Sequence, residues 1–171
     1  MKKLIYILLC MLWSACNKET LDFENPDIKL FVNQLKEGNY VQPEQNGDSN
    51  LPHFNYEDIE KLLPYADDLS IIPTFPLAPV SYSAGGKLRL GECILWTIES
   101  IRLGRYASMG CKLVYANADN YEGIYFLSDD ELKEVAKLYR LWWQEGKKLR
   151  TVWHISPHYE DPLYDSKYMW W

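Results

Sequence analysis

The chain has 171 residues, enough for one domain with a sizeable core and too few for two ordinary ones. A formal charge of −6 without any cluster of Lys and Arg argues against an electrostatic nucleic-acid binder. Hydrophobic residues at 47 % and aromatic residues at 15 % give the composition of a globular protein rich in Tyr and Trp.

Residues 1–15 read as a bacterial lipoprotein signal. Lys2 and Lys3 form a basic start, an apolar run follows, and Ser14-Ala15-Cys16 is a small-small-cysteine site. The run is too short to span a bilayer as a helix, which takes roughly 20 residues. Cleavage before Cys16 would free its thiol for lipid attachment and make the mature chain more acidic still. Trp13 stands where such signals carry Leu, Val or Ile, and an uncleaved short anchor is the alternative. Residues 16–24 are a polar tether, and residues 25–171 are expected to form one helical domain. The expected location is the bacterial cell envelope, lipid-anchored at the outer membrane, with the periplasmic or surface face left open.

The first predicted helix covers 25–37. Asn25 is its N-cap, Pro26 suits the first helical position, Ile28, Phe31, Val32 and Leu35 form one stripe, and Gly38 closes it. Residues 39–52 are polar and read as a loop. A second helix is predicted over 55–67, with Asn55 as N-cap between Phe54 and Ile59 and with Pro64 ending or kinking it. Pro73, Pro76 and Pro79 then recur every third residue, the spacing of an extended polyproline-type crossing.

A third helix over 88–103 is apolar nearly all round and therefore central. Its charged strip carries Glu92 and Glu99, with Arg102 a turn further and Gly104 as its cap. Cys93 on this helix and Cys111 after it form a candidate disulfide in an exported protein, the alternative being a small buried hydrophobe. Residues 113–115 and 124–127 are apolar pieces that would pair as a hairpin or stay irregular. Residues 117–123 look like a calcium loop, but Tyr121 stands where an oxygen ligand is needed, so a plain turn is expected.

The last predicted helix covers 128–145. Ser128 and Glu131 make a capping box, Leu132, Val135, Ala136, Tyr139, Trp142 and Trp143 recur at helical spacing, and Gly146 is the expected stop. Beyond it Trp153, Tyr159, Tyr164, Tyr168, Trp170 and Trp171 suggest an irregular aromatic strap. The fold expected is all-α or mostly α, about four helices stacked as helical hairpins.

Three constellations could carry chemistry. Glu92 and Glu99 could serve as acid and base in a hydrolase, yet they lie roughly 10 Å apart on one rigid helix, and pairing with Arg102, Arg89 or a lysine is the simpler account. His154 and His158 have metal-like spacing, but Pro157 breaks the helix that would unite them. The aromatic excess suits sugar stacking or protein interfaces, or simply a core packed with rings. No catalytic residue, metal ligand or cofactor is therefore assigned. The candidate binding set is Glu92, Trp96, Glu99, Trp170 and Trp171, and the partner expected is an envelope protein or a glycan.

Ile71-Ile72-Pro73-Thr74-Phe75-Pro76, Arg89-Leu90-Gly91-Glu92-Cys93-Ile94-Leu95-Trp96-Thr97-Ile98-Glu99 and Asp161-Pro162-Leu163-Tyr164 together resemble a family of small Bacteroides-type lipoproteins, domain-of-unknown-function family 4943. The resemblance spans nearly all of the mature chain. It implies an exported, lipid-anchored, mainly helical protein, and it transfers no catalytic residues.

Overall fold

The computed structural model describes residues 19–41, 51–76, 87–108, 110–116, 126–153 and 161–171, with side chains of the last helix described as far as residue 147. The lipoprotein signal with Cys16, Pro79, the calcium-like loop, and His154 and His158 lie outside the described residues. The described chain is mostly α with one small two-stranded sheet.

Helix α1 (Ile28–Glu37) buries the expected stripe of Ile28, Phe31, Val32 and Leu35. It starts later than the sequence suggested, because Asp27 rather than Asn25 is the N-cap. The Asp27 carboxylate accepts the Leu30 N–H at 2.8 Å, while the Asn25 N–H is already turned back onto Asp22 at 3.2 Å. Gly38 ends the helix at φ 69°, a left-handed position that costs an L side chain but not glycine.

The predicted second helix is not one continuous α-helix. Asn55 does cap it, accepting the Glu57 N–H while Asp58 accepts the Asn55 N–H. However, a 3₁₀ turn (Tyr56–Asp58), a single α turn, α2 (Ile59–Leu62), and a second 3₁₀ turn (Leu63–Tyr65) follow in succession. Pro64 has no N–H to continue an α ladder, so the tighter turn takes over there.

Helix α3 (Leu90–Leu103) is the centre of the molecule, and of its residues only Ile101 and Leu103 are not buried. Its first turn rests directly on the backbone of the preceding segment. The Gly91 N–H donates to Asp68 O at 2.8 Å and the Leu90 N–H to Ser70 O at 2.9 Å. A Cβ at position 91 would lie 2.5 Å from the Ala66 carbonyl oxygen, so only glycine allows this approach.

Strand β1 (Leu113–Tyr115) pairs antiparallel with β2 (Tyr168–Trp170), placing Leu113 opposite Trp170 and Tyr115 opposite Tyr168. The expected partner segment near residue 126 contributes an isolated bridge, Val114 to Phe126. The aromatic tail is thus ordered as a strand at 168–170, where Tyr168 faces the core and Met169 faces solvent, the alternation a strand requires.

Helix α4 (Asp129–Trp153) begins at the predicted Ser128–Glu131 box and buries Leu132, Val135, Ala136, Tyr139 and Trp143. Gly146 does not stop it. That glycine does not adopt a positive φ and nothing lies within 4 Å of the space its Cβ would fill, so its penalty is the modest propensity cost of about 1 kcal/mol. The four helices and the sheet share one core, and Trp96, Tyr139, Phe31 and Phe75 are its largest fully buried side chains. No helix among the described residues is long and apolar enough to cross a membrane.

Candidate functional site

Both glutamates of α3 are buried, and each anchors a different polar cluster. Glu92 is fully buried at the N-terminal end of the helix. Its Oε2 accepts from Arg89 Nη2 at 3.4 Å and Lys112 Nζ at 3.1 Å, and its Oε1 accepts the Leu113 N–H at 2.9 Å. Arg89 also reaches Asp129 at 3.1 Å, and Lys112 donates to the Lys87 carbonyl at 2.7 Å. A buried carboxylate is stable only when opposite charge and hydrogen bonds replace its water, and here both are supplied.

Two turns on, Glu99 takes Arg102 as a two-point partner, Nε at 3.0 Å and Nη2 at 2.5 Å, and accepts the Tyr139 hydroxyl at 2.9 Å. Trp170 Nε1 donates to that same hydroxyl at 2.9 Å, joining the C-terminal strand to the central helix through a chain of side chains. Burial and the neighbouring Glu99 charge push the Tyr139 phenol well above its ordinary pKa, so it remains a hydrogen-bond donor. The pairing of both glutamates follows the simpler reading of the sequence, in which arginine and lysine partners account for the charged strip.

The other members of the expected binding set do not form one surface with them. Trp96 is fully buried, donates from Nε1 to Ser108, and stacks on Tyr106 with ring centroids 5.6 Å apart. Trp170 is half-buried. Trp171 remains 42 % exposed while its ring lies against Gly110, where a Cβ would meet it at 2.4 Å. Cys93 and Cys111 are both buried and are free thiols rather than a disulfide. Burial, followed by the contact with Cys93, pushes the Cys111 thiol up in pKa. Cys111 also holds φ 46°, a strained value for a residue other than glycine.

The Glu92 cluster opens onto a cleft of about 370 Å³. Lys87, Arg89, Lys112 and Asp129 supply its polar lining, and Ile71 and Phe126 are exposed at its apolar edge. The bridges between Ile71 and Arg89 and between Val114 and Phe126 hold parts of its lining in place. Lys112 lies 5.9 Å from the centre of the Phe126 ring, within cation–π range. A second cleft of about 420 Å³ lies beside Leu51, Phe54, Ile101 and Tyr106 and is more apolar.

Sequence reasoning named Arg89 as a partner for the glutamates but missed Lys87, Lys112 and Phe126, which carry no local signal because they meet only through the fold. Among the described residues no group of three or more His, Cys, Asp or Glu side chains could hold a metal ion.

Residues 22–171 match the model of a family described as a domain of unknown function (DUF4943). No curated protein and no solved structure matches the chain.

Proposed function

The chain belongs to the DUF4943 family, a domain of unknown function, and we propose that it is a lipid-anchored cell-envelope protein that works by binding a protein or glycan rather than by catalysis. On this reading Cys16 carries the lipid of a Bacteroides-type lipoprotein, residues 16–24 are the tether, and the folded part is presented from the outer membrane. The helices stack as hairpins, and the aromatic C-terminal segment is the strap across them.

The observation that carries the reading is the cleft of about 370 Å³ whose lining combines fixed charged side chains with an exposed aromatic residue. Ligand sites combine such apolar surface with a few polar groups held in place. Lys112 and Arg89 are held by Glu92, so their positions are set before a ligand arrives. The hydrolase alternative draws less support, because Glu92 and Glu99 already have both carboxylate oxygens engaged.

A thermal-shift panel of oligosaccharides and envelope-derived peptides tests the binding role. A ligand is expected to raise the melting temperature of the wild type and not that of Phe126→Asp. Stabilisation of both proteins alike would place binding elsewhere. Palmitate labelling that is lost in Cys16→Ser is expected for the anchor, and an unlabelled wild type would refute it.

A further inference from the structure

We infer that the cleft takes the carboxylate of an acidic sugar, bound by Lys87, Arg89 and Lys112, with the sugar ring against Phe126. The inference rests on reading this cleft as the binding site.

Donor capacity points first to an anion. A guanidinium carries five N–H donors and an ammonium three. Among the described residues Arg89 uses two of its donors, on Asp129 and Glu92, and Lys112 uses two, on the Lys87 carbonyl and Glu92. Both side chains are buried to within 9 % and 5 % exposure and both line the cleft, where a ligand can meet donors that they have to spare. Lys87, an exposed residue, adds a third cation to the lining.

The charge balance selects the kind of anion. Lys87, Arg89 and Lys112 face the carboxylates of Glu92 and Asp129, which leaves one positive charge for a ligand to neutralise. A singly charged anion does so, of which a sugar carboxylate is one; a doubly charged phosphoryl group would leave excess negative charge in a partly buried site.

The remaining lining selects the body that carries it. Asp129, 65 % exposed at its side chain, is an acceptor beside the cations, which suits a hydroxyl one or two carbons from the carboxylate. Phe126, 38 % exposed beside Lys112, offers apolar surface next to the cations against which the C–H groups of a sugar can pack. A peptide C-terminus is the poorer fit, since such termini are captured in nests of backbone N–H groups, and the donors here are side chains.

The test is amide chemical-shift titration of the folded chain with D-glucuronate, its methyl ester, D-glucose and the tripeptide N-acetyl-Ala-Ala-Ala. Glucuronate is expected to shift the amides of Arg89, Lys112 and Phe126, about tenfold more tightly than the ester or glucose, the size of one lost charge-assisted hydrogen bond. Affinity should fall with added salt and about tenfold in Lys87→Met, an exposed position whose change leaves the core untouched. Equal binding of acid and ester, or binding of the tripeptide in place of glucuronate, overturns the inference. If glucuronate fails while another ligand stabilises the wild type but not Phe126→Asp, the carboxylate is refuted and the cleft reading stands. If no ligand enters the cleft, both fall.

Discussion

Glu92 and Glu99 lie on one strip of one helix, yet their surroundings lead to opposite ends. The Glu99 cluster is closed, since Arg102, Tyr139 and Trp170 complete it and the C-terminal strand covers it. The Glu92 cluster is open on one side, where its two cations border a cleft. A buried charge that is fully partnered contributes to architecture. One whose counterions keep spare donors can hold the architecture and still receive a ligand. What separates the two is therefore not the carboxylate but which segments cross over it.

The largest test of this contrast is removal of the carboxylates. Glu99→Ala takes away the two-point carboxylate partner of the buried Arg102 together with the acceptor of the Tyr139 hydroxyl, and is expected to destabilise by about 5 kcal/mol, the upper end for a broken buried pair. Glu92→Ala should cost about 3 kcal/mol, the lower end, because water in the cleft can reach Arg89 and Lys112. Chemical denaturation measures both, and a larger loss for Glu92 would reverse the assignment of open and closed. Tyr139→Phe deletes the hydroxyl shared by Glu99 and Trp170, with an expected loss of about 1.5–3 kcal/mol in the same assay. That loss should shrink in a Glu99→Gln background if the relay acts as a unit.

An exposed pair marks the low end of the scale. The Arg140 hydrogen bond holds the Asp67 carboxyl below the ordinary carboxylate range, with partial burial opposing it. A lowered folded-state pKa means that the contribution is present above the unfolded value, about 3.9, and is lost as pH falls through the folded value. Asp67→Asn should therefore cost less than about 1 kcal/mol at neutral pH, since solvent screens a pair this exposed, and its stability should converge with wild type in acid. Lys87→Met should change stability by no more than about 0.5 kcal/mol while weakening ligand. A large stability loss there would mean that Lys87 belongs to the architecture.

Much of the helical skeleton was legible because its signals are local. The stripe from Ile28 to Leu35, the Asn55 cap, the Ser128–Glu131 box and the apolar helix ending at Gly104 each depend on residues a few positions apart. Local signals also misled. Asn25 and Asp27 are both good cap residue types, and it is the Asp27 carboxylate that accepts the Leu30 N–H, while the Asn25 backbone is turned onto Asp22. Gly146 resembles a stop but meets no turn that needs a left-handed residue. The β1–β2 pairing and the cleft were not legible, because Leu113 finds Trp170, and Lys112 finds Glu92 and Phe126, only after the helices have packed.

The missing side chain at Gly91 has a mechanical consequence. With the helix seated on the carbonyl of Ala66, and the Gly91 N–H bonded to Asp68, α3 is packed backbone to backbone against the segment at residues 66–68. Arg89, Glu92 and Cys93 flank that seat, so a side chain at position 91 that pushed the helix off Ala66 would be expected to disturb the cation pair and the thiol contact together.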